Sequence, residues 1–175
     1  SVVAVGNSYA SGADSFAAAI GNNTSSYGAV GNNSIAMGSL AKATGSNAVA
    51  IGRNSTATGF DAFSFGYACQ AQGQFSVANN TSTYGATGAN SVAIGQNAKA
   101  SGSSAFAFGT VNTASATGSL ALGGNQNTAS QSYAVAMGQY ATSSISGKFV
   151  FSSGRFSSNG DAQTGTFVLR SDTTD

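Results

Sequence analysis

The sequence predicts an all-β fold, a parallel β-solenoid with short coils, on three observations. Glycines recur every seven residues, at 31, 38, 45, 52, 59, 66 and 73. Between them, side chains alternate with period two, which is typical of strands. Heptads rich in Val, Ile, Met and Phe take turns with smaller, more polar heptads, so the repeat unit is 14 residues. A helix is disfavoured, because each interior glycine would cost it about 1 kcal/mol relative to alanine.

Each 14-residue unit is expected to form one coil of two short strands joined by two corners. The larger strand ends in glycine, as in NSIAMG (33–38), NAVAIG (47–52) and NSVAIG (90–95). Glycine suits a corner because a positive φ or a close backbone approach excludes a side chain there. Ten strand ends predict about ten coils: Gly6, Gly21, Gly38, Gly52, Gly66, Ala78, Gly95, Gly109, Gly123 and Gly138.

The alternation also predicts which side chains face the interior of the coil. In QNAKASG (96–102), Ala98 and Ala100 share one face, and Lys99 and Ser101 share the other. A coil this thin has little interior, so the alanines should point inward. The large residues of the other strand should then form an exposed apolar stripe, which marks an interface. Self-association around the rod axis is the simplest way to cover this stripe. The predicted stripe is Ile35, Met37, Val49, Ile51, Phe63, Phe65, Val92, Ile94, Phe106, Phe108, Leu120, Leu122, Val135 and Met137.

The composition argues against several classes of function. Only 6% of residues are charged and the net charge is +1, so no electrostatic footprint for nucleic acid is present. Glu and His are absent, which removes the usual catalytic bases. No apolar run approaches the roughly 20 residues of a membrane span. We expect no enzyme, no metal, no cofactor and no membrane insertion by this segment. The single Cys69 is expected to be a small buried residue. Asp161, in NGDAQ, is expected in a turn, with a subunit or ion contact as the alternative.

The string N-S-V-A-I-G followed by x-x-A-x-A-x-G resembles the head repeats of trimeric autotransporter adhesins over about residues 1–143. That resemblance implies a left-handed parallel β-roll, with three chains around one axis. It also implies attachment to host matrix or cell surfaces by avidity, without a catalytic site. The family's neck sequence, which normally leads into a coiled-coil stalk, has no counterpart here.

The remaining residues, 144–175, lose the heptad glycines but keep strand-like alternation, and we expect a β-rich cap or connector. The string G-R-F-x-x-x-G-D-A-Q-x-x-x-x-V-L-R is similar to a segment of bacteriophage tail fibres, where it commonly follows a roll of the same repeats. This implies a virion appendage that mediates host attachment. The alternative is the head of an adhesin on a bacterial surface. The expected partners are a homotrimer, a host glycan or protein receptor, and other virion or fibre domains. A purely structural spacer remains the competing class.

One stretch recurs on a longer period. Residues 22–52 and 79–109 agree at 20 of 31 positions, and each copy opens with an oversized coil step of 17 residues. The extra residues are expected to bulge outward and to expose tyrosine, a favoured recognition residue. Alternatively, the solenoid tolerates the insertion and the tyrosine packs over the neighbouring coil. The candidate receptor contacts are Asn22, Asn23, Tyr27, Asn79, Asn80, Tyr84, Lys42 and Lys99.

Overall fold

The computed structural model describes residues 1–6, 8–19, 26–73, 77–79 and 85–166, leaving aside the side chains of 5, 6, 19 and 77–79. In this part of the chain every named element is a β-strand, which confirms the all-β prediction, and no helix in it could cross a membrane. In chain order the strands are β1 (Val3–Gly6), β2 (Phe16–Ala19), β3 (Gly28–Ala29), β4 (Ile35–Met37), β5 (Lys42–Ala43), β6 (Val49–Ile51), β7 (Thr56–Ala57), β8 (Phe63–Phe65), β9 (Gln70–Ala71), β10 (Val77–Asn79), β11 (Gly85–Ala86), β12 (Val92–Ile94), β13 (Lys99–Ala100), β14 (Phe106–Thr110), β15 (Thr113–Ala114), β16 (Leu120–Asn125), β17 (Thr128–Ala129), β18 (Val135–Gln139), β19 (Thr142–Ser143), β20 (Phe149–Ser153) and β21 (Gln163–Thr166).

These strands form two sheets, and the chain alternates between them. The large-residue sheet has the order β1-β2-β4-β6-β8-β10-β12-β14-β16-β18-β20-β21, and the small-residue sheet has the order β19-β17-β15-β13-β11-β9-β7-β5-β3. Successive coils pair in parallel, so the solenoid prediction is confirmed. Nine coils contribute a strand to both sheets, and β1 extends the large-residue sheet at the N-terminal end. All ten predicted large strands are present, as β1 and the even-numbered strands from β2 to β18.

Alanine fills the space between the two sheets. The pairs Ala93↔Ala107 and Ala100↔Ala114 place alanine over alanine from coil to coil, and all four are fully buried. The inward orientation predicted for Ala98 and Ala100 is therefore confirmed. Where a coil lacks alanine, another small residue replaces it. Examples are Ser64, Ser143 and Cys69, the last of which is buried as predicted.

Backbone hydrogen bonds join successive coils in the strands and at the corners. The Ile35 amide donates to the Ala48 carbonyl at 2.8 Å, and the Asn54 amide donates to the Ser39 carbonyl, also at 2.8 Å. The corner bond matters because a corner would otherwise leave polar backbone groups without partners. Each coil thus satisfies the backbone of the next, and stability depends on contacts between neighbouring repeats.

The corners show why small residues recur. A Cβ atom added to Gly45 would collide with the carbonyl oxygen of Gly59 in the next coil. Gly52 has a φ of 118°, where side chains are rarely tolerated. Other corner positions take left-handed backbone without glycine. Asn54 has a φ of 59°, which asparagine tolerates, whereas Val111, at 55°, is β-branched and strained.

Two buried asparagines replace alanine or serine at neighbouring corners. The Asn127 side-chain amide donates to Gly138 O at 2.8 Å, and its Oδ1 accepts from Ala141 N at 2.9 Å. Asn112 Oδ1 accepts from the backbone N–H of Asn127 at 2.9 Å, and Asn112 Nδ2 donates to Gly123 O at 3.0 Å. These bonds satisfy backbone groups where β16 and its neighbours lengthen and the register shifts.

The residues after 143 continue the roll before the chain turns back. Strand β20 pairs in parallel with β18, and Val150 occupies the interior position with no exposed surface. Strand β21 then pairs antiparallel with β20. At the edge of the small-residue sheet, Gln163 Oε1 accepts from Thr142 N at 2.8 Å, and Gln163 Nε2 donates to Thr142 O at 3.0 Å. One carboxamide thus pairs with the backbone as a further strand would. The boundary predicted at 143/144 stays a prediction.

Substituting Gly45 by alanine is expected to lower the free energy of unfolding by about 3 kcal/mol or more, because the added methyl group meets backbone that cannot move aside. Gly154→Ala is the matched control, since a Cβ there has no neighbour within 4 Å. It should stay within about 0.5 kcal/mol of the original protein. Chemical denaturation measures both, and equal losses would contradict the close-packed corner.

Substituting Asn127 by alanine is expected to cost about 2–3 kcal/mol, because buried backbone groups of the next coil lose their partners. Asn125→Ala is the control, since the buried Asn125 Oδ1 has no hydrogen-bond partner to lose. Thermal unfolding should show a clear drop for the first variant and little change for the second. The reverse order would contradict a supporting role for the Asn127 amide.

Candidate functional site

The outer side of the large-residue sheet carries large apolar side chains, and we call it the apolar face. Phe65 is 51% exposed and Ile94 is 42% exposed, although both belong to regular strands. Phenylalanines two residues apart project together, with ring centroids 6.5 Å apart for Phe63 and Phe65. The alanine core explains this exposure, since the interior has no room for such side chains.

Parallel register aligns large side chains of successive coils along the apolar face. Val92 pairs with Phe106, and Phe106 with Leu120, so large side chains stack from coil to coil. The structure places every residue of the predicted stripe on this face. It adds residues that the prediction missed at both ends of the sheet: Val3 of β1, Phe16 of β2, and Phe149 and Phe151 of β20. The alternation of Phe149 and Phe151 in KFVFSS matches that of the other strands, so that pattern could have revealed them.

The two lysines predicted as receptor contacts lie on the opposite side of the rod. Lys42 and Lys99 are both half-buried on the small-residue sheet, and they occupy equivalent positions in β5 and β13. Lys42 pairs in register with Thr56, and Lys99 with Thr113. The structure thus brings neither lysine to the apolar face. Their contact with a receptor stays a prediction.

The predicted loop contacts are only partly within the described residues. Tyr27 is half-buried immediately before β3. Asn79 is the last residue of β10 and pairs with Ile94, so it belongs to a strand. The others, Asn22, Asn23, Asn80 and Tyr84, lie outside the described residues. The receptor role of this set stays a prediction.

A polar cluster that the sequence reasoning missed lies where the large-residue sheet leads into the small-residue sheet. The Arg53 guanidinium carbon lies 4.7 Å from the centroid of the Tyr67 ring. Tyr67 is 60% exposed, and Ser39, Leu40 and Asn54 complete a cleft of about 290 Å³. Arg53 and Tyr67 are 14 residues apart, so alignment of the repeat in coils would have placed one above the other.

Asp161 closes a turn near the C-terminal end of the described chain. Its carboxylate accepts the backbone amides of Phe156 at 2.9 Å, Ser157 at 2.6 Å and Ser158 at 2.8 Å. These amides, with that of Ser158 contributing most, lower the pKa of Asp161 to about 2. The turn also holds Arg155 with its guanidinium carbon 4.2 Å from the centroid of the Tyr140 ring. Asp161 therefore has a structural role in this turn.

The geometry defines a class of protein: a parallel β-solenoid with a small-residue core and one apolar face open along its length. A family model described as the YadA head domain repeat matches residues 29–55, 86–112, 100–125 and 114–141. The chain contains YadA-type head repeats, and the resemblance to adhesin heads is confirmed. The matches cover a little under half of the chain. A search of curated proteins finds no match.

The coils continue beyond the matched residues. Strands β7 to β9 lie outside the matches, yet they pair in the same sheets and in the same register as their neighbours. The repeats indicate an adhesin-like structural protein with a surface-exposed location.

The turn at Asp161 is expected to respond to acid at an unusually low pH. Its pKa falls from an ordinary value of 3.8 to about 2 on folding. The carboxylate therefore stabilises the turn fully above about pH 4, and this contribution is lost as the pH falls through about 2. Amide chemical shifts of Phe156, Ser157 and Ser158, followed by NMR, should titrate near pH 2. A midpoint near 4, or an unchanged titration in Asp161→Asn, would contradict the assignment.

Proposed function

We propose that the chain is a segment of a homotrimeric attachment fibre, in which three rolls cover one another's apolar faces. The continuous apolar face carries this proposal. Side chains such as Phe65 and Ile94 are exposed in the single chain at level after level. Monomeric proteins rarely expose contiguous patches of this kind, and homo-oligomers are usually closed and symmetric. The match to YadA-type head repeats supports three as the number of chains.

The assembled rod would present its other surfaces three times over. The small-residue sheet and the corners would face outward, while coils about 4.8 Å apart keep them in fixed spacing. A receptor contact that is weak in one copy gains from multivalent presentation. The proposal assigns the protein no catalytic role, and it makes avidity the source of attachment strength.

We place this fibre on a bacteriophage virion, with the head of a bacterial adhesin as the second candidate. The support is the G-R-F and G-D-A-Q string at 154–163, whose Arg155 and Asp161 organise one turn beside the last coil. The neighbouring genes test the choice. Tail and capsid genes would support the virion. An outer-membrane anchor in the same reading frame would overturn it.

The variant Phe65→Arg should weaken assembly, because burying an uncompensated charge costs about 3 kcal/mol or more. Such a cost raises the dissociation constant about 100-fold or more. The matched control is Gln70→Arg, on the outer side of the small-residue sheet in the same coil. Sedimentation velocity across a dilution series measures both. Equal behaviour of the two variants would contradict assembly through the apolar face.

Attachment is tested with the same variants. Each protein is labelled fluorescently and mixed with intact host cells. The original protein and Gln70→Arg should both bind, whereas Phe65→Arg should bind much less, because the separated chain loses avidity. If the assembled protein binds cells no better than an unrelated rod of similar charge, it is a structural spacer with no ligand. That result would overturn the attachment role.

A further inference from the structure

The connections from the large-residue sheet to the small-residue sheet stack along one edge of the rod, which we call the loop edge. At three successive levels this edge presents Ser39, then Arg53 and then Tyr67. Backbone hydrogen bonds fix the stacking, with Asn54 N donating to Ser39 O at 2.8 Å and Ala68 N to Arg53 O at 2.9 Å. The side chains of these levels enclose the cleft of about 290 Å³.

Arg53 is held in place without being neutralised. Its guanidinium stacks on the Tyr67 ring at 4.7 Å, and no ion pair involves it among the described residues. Stacking limits the rotation of a long side chain, so less entropy is lost when a ligand binds. A guanidinium offers a planar set of donors that matches a carboxylate or phosphate group. The cleft therefore presents an ordered cation beside an exposed aromatic ring.

The cleft spans three successive coils of the roll. Its lining residues follow β4, β6 and β8 in turn. Arg53 and Tyr67 thus stack across successive coils of the described roll.

The chemistry of the edge favours a sugar over a peptide. Peptides commonly dock by adding a strand or by filling an apolar groove. The backbone groups of Arg53 and Asn54 that face the neighbouring coils are already paired, and Leu40 is the lone aliphatic side chain of the lining. Asn54 and Ser39 instead offer donors and acceptors suited to hydroxyl groups. The Tyr67 ring offers a face for the apolar side of a sugar ring.

We propose that this cleft binds an anionic saccharide of the surface to which the fibre attaches. Arg53 holds the carboxylate or phosphate group, Tyr67 contacts the sugar ring, and Asn54 and Ser39 bond its hydroxyls. The inference rests on the proposed attachment function and names the chemistry of its receptor. Three copies in a trimer would combine weak sites into useful avidity.

The test is calorimetric titration of the assembled protein with trigalacturonic acid, its methyl ester, mannose 6-phosphate and, as the peptide control, tri-glutamate. At least one anionic sugar should bind, and the neutral ester should not. Whichever of the two binds identifies a carboxylate or a phosphate as the recognised group. Arg53→Gln should weaken binding about tenfold or more, as expected for loss of a charge-assisted hydrogen bond. Tyr67→Leu should weaken it less. Arg155→Gln is the matched control, because Arg155 stacks on Tyr140 outside the cleft.

Four results would overturn the proposal that the cleft binds an anionic saccharide. They are no binding of either anionic sugar, equal binding of the ester, equal or tighter binding of tri-glutamate, and unchanged binding by Arg53→Gln. Sedimentation separates these failures from failure of the fibre itself. If the original protein is assembled and attaches to cells while Arg53→Gln does so equally well, the cleft is wrong and the fibre stands. If Arg53→Gln alone dissociates, the loop edge is a subunit contact and the proposed saccharide site is wrong.

Discussion

Alanine-to-alanine contact between two closely spaced sheets is the constraint on which the rest of the structure depends. Ala93 and Ala100 are fully buried, as are their partners one coil on. A core of methyl groups gains less per residue from burial than a core of leucine. The fold compensates with backbone hydrogen bonds between coils, at corners as well as in strands. That arrangement needs glycine or another small residue wherever backbones meet, as at Gly45 and Gly59.

The same constraint explains the outer surface. Since the interior excludes phenylalanine and isoleucine, these residues project outward from the strands that carry them, and parallel pairing aligns them into one face. In the proposed fibre, neighbouring chains would supply the hydrophobic core that the single chain lacks. The loop edge differs, because side chains there project from the corners, as the 60% exposure of Tyr67 shows. Arg53 and Tyr67 both lie there, away from the buried alanines, so a substitution at either position would leave the core intact.

The sequence predicts most of the fold because each level repeats the last. Glycine spacing and period-two alternation were enough for the strands, the inward alanines and the apolar stripe. Features that depend on one level alone escaped prediction. Asn127 replaces a small corner residue, and its residue type alone does not reveal the backbone groups that it bonds. Gln163 pairs with the backbone of Thr142 from 21 residues away. Arg53 and Tyr67 meet through stacking of coils, which a linear reading of the sequence does not display.

Hydroxyl-radical footprinting of the original protein tests the central claim most directly, because it measures side-chain exposure in solution. In the single chain, Phe65 is 51% exposed and Phe151 is 45% exposed, while Phe156, in the turn beyond β20, is 89% exposed. If the apolar face is covered by other copies, Phe65 and Phe151 should be labelled several-fold less than these exposures imply, relative to Phe156. Labelling in proportion to the single-chain exposures would show an open face and contradict the account.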